Sequence, residues 1–180
     1  DIFFALKGPN FNGNVFAEKA LQAGASYAII DDKKYLVNEK CIIVKDALLT
    51  LQELASYHRS KFSIPFLAIT GSNGKTTTKE LIRSVLSASY NTYATEGNLN
   101  NHIGIPLTLL KIKPEVQIAV IEMGANHQGE IKSYCEIVNP THGLITNVGK
   151  AHLEGFGGEE GVRKGKGELF DHLRRQQGTA

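Results

Sequence analysis

The chain has 180 residues, 42 % of them hydrophobic and 21 % charged, with a net charge of +2, enough for one good core or for one domain plus part of another. A charge so near zero gives no ground for a nucleic-acid partner or a membrane surface, and no apolar run approaches the ~20 residues that span a bilayer. Cys41 and Cys135 are far apart and form no C-x-x-C, which argues against a disulfide framework or a zinc site and for a reducing cytoplasm.

The opening "DIFFALKG" is already strand-like, with no initiator methionine and no signal peptide, as expected of a piece cut at both ends. Ile2–Leu6 reads as a strand closed by the turn formers of "KGPNFNGN". Val15, Phe16, Ala20, Leu21 and Ala23 then have helical spacing, with a stop at Gly24. "YAIID" and "CIIVK" read as buried strands. Asp46 is placed to cap a helix whose stripe is Leu48, Leu51, Leu54 and Ala55. That helix ends before Pro65, so a domain boundary is expected between residues 1–62 and 63–180.

The second part alternates strand and helix. "FLAIT" is a strand, and Lys75 to Ser89 a helix with Thr78, Leu81, Ile82, Val85, Leu86 and Ser89 on one side. The polar loop "TEGNLNNHIG" leads to a short helix "PLTLLK" and the strand "VQIAVIEMG". "GEIKSYCEIV" is a helix with Ile131, Tyr134, Cys135 and Val138 inward. "GLITNVG" is a strand, and a glycine-rich loop precedes a final helix with Val162, Leu169, Phe170 and Leu173 on its apolar side. The alternation predicts an α/β fold with a mostly parallel sheet flanked by helices. Ligands in such sheets sit beyond the carboxyl ends of the strands. Three of those ends carry chemistry: Thr70-Gly71, Glu122-Met123-Gly124, and Asn147-Val148-Gly149 running on to His152.

"TGSNGKTTTKELI" has the parts of a phosphate loop. Gly71 and Gly74 let the backbone turn its N–H groups inward, and the following helix adds its positive dipole end. Lys75 is placed to reach β- and γ-phosphate oxygens, and Thr76 to put a hydroxyl on Mg2+. The spacing is G-x-x-G-K-T; the commoner G-x-x-x-x-G-K-[ST] needs glycine at position 69, where Ile69 stands. Glu122 suits either a metal ligand or a solvated strand-end charge. His152 suits either a ligand or a surface histidine. Lys166 falls among inward residues, which fits an ammonium snorkelling to water or a functional amine of lowered pKa. Asn98, Asn100, Asn101 and His102 serve equally as turn formers or as substrate contacts.

With these residues in view, the chain resembles the Mur ligases, the ATP-dependent amide-bond formers of peptidoglycan assembly. The matching motifs are "TGSNGKTTTKELI", "GNLNNHIGIPLTLL", "IEMGANHQGEI", "TNVGKAHLEGFG" and "KGELF". "EMGANHQGEI" is similar to the pattern of the dipeptide-adding branch, so the resemblance implies UDP-N-acetylmuramoyl-tripeptide and D-alanyl-D-alanine as substrates. It implies that residues 1–62 are the remainder of a small α/β domain binding the UDP-muramyl peptide and its linker helix. Residues 63–180 would be the central P-loop domain, with the start of the first domain and a whole C-terminal domain outside the chain. ATP would lie on Gly71, Ser72, Asn73, Gly74, Lys75, Thr76 and Thr77. Two Mg2+ ions would be held by Thr76 and Glu122 and by His152 and Lys166, the latter converted by CO2 to a carbamate. Asn101, Asn98 and Asn126 would face substrate. The implied protein is a cytoplasmic monomer in cell-wall biogenesis, weakly active at most without its C-terminal domain. The family commonly has Asp-Gly-His where this chain has Asn12-Gly13-Asn14. Competing readings are another ligase of the superfamily, adding a single amino acid or extending a folate, and a non-catalytic nucleotide-binding module.

Overall fold

The computed structural model describes residues 1–150 and 152–180; Ala151, within "TNVGKAHLEGFG", lies outside the described residues. Its contacts divide the chain into two units, 1–54 and 55–180, and the division falls inside the helix α2 (Ala47–Arg59). Asp46 caps that helix as expected, accepting the Leu49 N–H at 2.8 Å.

In the first unit, β1 (Ile2–Phe4), β4 (Tyr27–Ile30) and β5 (Cys41–Ile43) pair in parallel in the order β1-β4-β5. A small antiparallel hairpin, β2 (Lys7–Gly8) with β3 (Phe11–Asn12), and α1 (Ala17–Gln22) complete it. Two expectations fail here. Val15 and Phe16 are exposed because Gly13–Phe16 forms a separate 3-10 turn, capped when Asn12 Oδ1 accepts the Asn14 N–H at 3.0 Å. On β5 only Cys41 is buried, and Ile42 and Ile43 are open. Asn14 is buried: its amide donates to Asp31 Oδ1 at 2.7 Å and its Oδ1 accepts the Asp31 N–H at 3.0 Å. The Asn12-Gly13-Asn14 segment thus ties a turn to the end of β4.

In the second unit, β6 (Phe66–Thr70), β7 (Thr92–Ala94), β8 (Ile118–Glu122) and β9 (His142–Ile145) form a wholly parallel sheet in the order β7-β8-β6-β9. Successive side chains on a strand point to opposite faces. One face therefore sets Phe66, Ala68, Ala119 and Ile121 into a cluster with residues of α4 (Gly104–Leu110), α5 (Glu130–Val138) and α7 (Glu159–Gln176). The other sets Ile69, Val120 and Ala94 against Ile82 and Leu86 of α3 (Lys75–Leu86). Covering both faces explains why these strands are apolar runs instead of alternating ones.

The expected inner face of α3 is wrong in part. Leu81 and Val85 are 64 % and 74 % exposed, whereas Lys79 is 1 % exposed. The helix also ends at Leu86, short of Ser89. On α7, Val162, Leu169 and Leu173 are buried as expected, and Phe170 lies outside the core. Both cysteines are free and buried. No helix among the described residues is long and apolar enough to cross a membrane.

Arg59 fastens the end of α2 to the end of α5. Its guanidinium donates to Val138 O at 2.7 Å, Asn139 O at 2.9 Å and Phe62 O at 2.8 Å, and stacks 3.6 Å over the Phe66 ring. Truncation strands three acceptors and removes a cation from an aromatic face. We expect Arg59→Ala to cost about 3 kcal/mol in urea denaturation, and a loss below about 0.5 kcal/mol to contradict this.

Candidate active site

The sheet brings the carboxyl ends of β6, β8 and β9 side by side, so the loops that follow them share one rim. Gly71, just after β6, has φ +146°, and a Cβ there would collide with Thr146 Oγ1. Gly74 has φ +77° and starts α3 from a left-handed conformation that glycine adopts without strain. Between them the loop is clamped by the segment after β9. Ser72 N–H donates to Asn147 O and Asn73 N–H to Asn147 Oδ1, both at 3.1 Å. Ser72 Oγ accepts the Gly149 N–H at 2.9 Å, and Thr146 Oγ1 donates to Asn73 O at 2.6 Å. Two of the amides expected to cradle phosphate are therefore occupied by Asn147. The first turn of α3 leaves the amides of Lys75, Thr76 and Thr77 without intrahelical acceptors, at the positive end of the helix dipole.

Lys75 folds back so that its ammonium donates to Gly71 O at 2.8 Å. Burial lowers its pKa, and the Glu122 charge opposes that shift. One residue on, Thr76 Oγ1 donates to Glu122 Oε1 at 3.2 Å. Glu122 is 1 % exposed and so is not a solvated strand-end charge. Its Oε1 also accepts from Asn100 Nδ2 at 2.8 Å, and its N–H donates to Thr95 Oγ1 at 2.9 Å. Its Oε2 has no hydrogen-bond partner among the described residues. A buried carboxylate oxygen in that state beside a threonine hydroxyl is a hard-oxygen pair suited to Mg2+.

Gly71 and Lys75 line a cavity of about 330 Å3 with Asn100, Asn101, Asn126, His152 and Lys166, and Glu122 is joined to that lining through Asn100. Lys166 does not snorkel. It is 2 % exposed, its Nζ donates to Ala125 O at 3.2 Å, and the Phe156 ring lies 5.0 Å away. Burial, helped by the Lys75 charge, pushes its pKa down to about 8. An ammonium cannot ligate a cation, whereas a carbamate on that nitrogen can. His152 takes a left-handed conformation, φ +55°, at the start of α6 (Leu153–Phe156) and is exposed on the cavity rim. Among the described residues no group of three or more His, Cys, Asp or Glu side chains forms a ready metal cluster.

The asparagine-rich loop separates into distinct parts. Asn101 lines the cavity, yet its Oδ1 is committed to the Gly104 N–H at 2.8 Å, capping α4. Asn126 lines it while its N–H donates to Glu130 Oε2 at 2.6 Å. Asn98 is exposed and does not line the cavity. Three residues were not assigned site roles from sequence, Glu130 and Tyr134 in the cavity wall and the buried Lys79, nor was the hydrogen bond that Asn100 makes to Glu122.

The profile of the Mur ligase middle domain matches residues 69–180. The chain belongs to the Mur ligase family. The UDP-N-acetylmuramoyl-tripeptide–D-alanyl-D-alanine ligase of Escherichia coli (strain K12) is 45 % identical over 172 residues, which cover 96 % of this chain and 38 % of that protein. The ligase of the same name from Bacillus subtilis (strain 168) is 40 % identical over 176 residues, with the same coverage of both chains. Among solved structures, MurF from Acinetobacter baumannii superposes with a TM-score of 0.89 at 41 % identity, again over 96 % of this chain and 38 % of that one. MurF ligase from Thermotoga maritima, solved in complex with ADP, gives 0.88 at 37 % identity, over 96 % and 40 %. This Mur ligase chain therefore spans about two fifths of the length of the relatives it matches.

Proposed function

We propose that the protein carrying this chain is an ATP-dependent ligase that joins D-alanyl-D-alanine to UDP-N-acetylmuramoyl-tripeptide in peptidoglycan precursor synthesis. One observation carries the reading: Lys75 at the start of α3, His152 and Lys166 surround one cavity, and Asn100 ties it to the Thr76–Glu122 pair. The names of the 45 % and 40 % identical relatives supply the substrates. We take residues 1–62 as the remainder of the UDP-muramyl-peptide domain and 63–180 as the ATP-binding domain. The enzyme is assigned to the cytoplasm, as a monomer.

In the mechanism, Lys75 and the amides opening α3 hold the β- and γ-phosphates of ATP, with Gly71, Ser72, Asn73 and Gly74 shaping the loop and Thr77 adding an amide. A carboxylate oxygen of the tripeptide attacks the γ-phosphorus in line, and the β–γ bridging oxygen leaves with ADP. The amine of D-alanyl-D-alanine then attacks the acyl carbon, expels phosphate and loses a proton as the amide forms. Such chemistry needs positioning and charge neutralisation more than a protein nucleophile. Thr76 and Glu122 are assigned to hold one Mg2+, and His152 with carbamylated Lys166 a second. When bound, the metal supplies positive charge against the phosphate oxygens. Asn101, Asn126 and, from the outer loop, Asn98 are assigned to the substrate side.

The order of steps is testable by positional isotope exchange in ATP carrying 18O in the β–γ bridge. The full-length protein is expected to scramble the label when UDP-muramyl-tripeptide is present and the dipeptide is absent. Amide formation without any such exchange would count against an acyl phosphate formed before amine attack.

A further inference from the structure

Glu122 has a partner that the assigned chemistry leaves unused. Lys79 lies one turn after Lys75 on α3 and is almost fully buried. Its ammonium donates to Thr95 O at 2.6 Å and stands 3.1 Å from Glu80 Oε1 and 3.9 Å from Glu122 Oε2. Thr95 closes the circuit, because its Oγ1 accepts the Glu122 N–H. The orphaned carboxylate oxygen thus faces a fixed positive charge that is near enough to neutralise it yet makes no hydrogen bond to it.

A buried carboxylate left without any counter-charge is costly, and Lys79 supplies one from behind the site. A dication entering at Glu122 meets that same positive charge, and burial limits screening by salt. The repulsion is offset only when a ligand brings negative charge, as a nucleotide polyphosphate does. We infer that Lys79 is a resident counter-charge that positions Glu122 and makes divalent-cation binding there depend on bound nucleotide. This rests on the reading of Thr76 and Glu122 as a cation site.

The test titrates Mn2+ alone into the nucleotide-free full-length protein and follows free Mn2+ by electron paramagnetic resonance. Lys79→Gln keeps a donor for Thr95 O but removes the charge, and is expected to bind Mn2+ about tenfold tighter than wild type. Lys79→Arg, which keeps the charge, is expected to stay within about twofold of wild type. Equal Mn2+ affinity in wild type and folded Lys79→Gln overturns the inference. Should Lys79→Gln fail to fold, the half-exposed Glu80 decides the matter. Glu80→Gln unmasks Lys79 and is expected to weaken protein-bound Mn2+ about twofold in the presence of a non-hydrolysable ATP analogue; unchanged or tighter binding overturns the inference. Glu122→Gln under those last conditions separates the two levels. If it leaves Mn2+ binding intact, the cation site itself is misassigned and both ideas fall.

Discussion

Lys75→Ala is expected to lower turnover by about a thousandfold or more in the full-length protein while leaving its fold intact. The side chain is half-buried and holds only backbone carbonyls, Gly71 O at 2.8 Å and Ser72 O at 3.4 Å. Truncation therefore breaks no hydrogen bond to a charged group, Glu122 acting on Lys75 only through its charge, and it withdraws a cation from the mouth of α3. Burial has already lowered the Lys75 pKa, so an incoming polyphosphate regains for it a counter-charge that the protein does not provide at hydrogen-bond range. That gain is largest where phosphate charge is greatest, which is why the loss should fall on the chemical step as well as on ATP binding. Phosphate release by Lys75→Ala within about tenfold of wild type, with an unchanged melting temperature, would refute the phosphate loop as the site of transfer.

The second large effect concerns Lys166. It is a lysine at 2 % exposure with one carbonyl contact, at Ala125, and a neighbouring cation that lowers its pKa together with burial to about 8. The neutral form, which alone adds CO2, is then a minority of about one tenth near pH 7, still far more than an ordinary lysine offers. Carbamylation would turn a buried cation into an anion facing the cavity and relieve the repulsion from Lys75. Lys166→Ala is expected to lower turnover by about a hundredfold or more, and millimolar formate or acetate to restore part of it by placing a carboxylate in the vacated space. A variant that folds normally yet gains nothing from short carboxylic acids at any concentration would count against the carbamate.

The strands and most helices of the second unit were legible because a two-sided parallel sheet writes itself as apolar runs, and the phosphate loop because its glycines, lysine and threonine are contiguous. What the strand ends made legible in advance was placement: the loop after β6 and His152 on one cavity, and Glu122 beside Thr76. What escaped was information held in side-chain direction. Three asparagines within "NLNN" are chemically alike, and only the folded loop distinguishes Asn100 on Glu122 from Asn101 capping α4 and from Asn98 outside the cavity. Lys79 was hidden for a similar reason. Hydrophobic spacing favoured Leu81 and Val85 as inward residues, but α3 is turned so that Thr76 and Lys79 bond groups at the ends of β8 and β7, and the two apolar residues are left exposed. In the first unit the Asn12 cap diverted Val15 and Phe16 from the expected helix, a local hydrogen bond overriding an apolar periodicity.

The central claim is that this site moves the γ-phosphate of ATP to the carboxylate of a muramyl peptide for the benefit of a dipeptide amine. Its most direct test is phosphate release by the full-length protein with Mg-ATP and UDP-muramyl-tripeptide, comparing D-alanyl-D-alanine with single amino acids as acceptors. The account predicts sustained release with the dipeptide alone. Release sustained equally by a single amino acid, or by none of these acceptors, would contradict it.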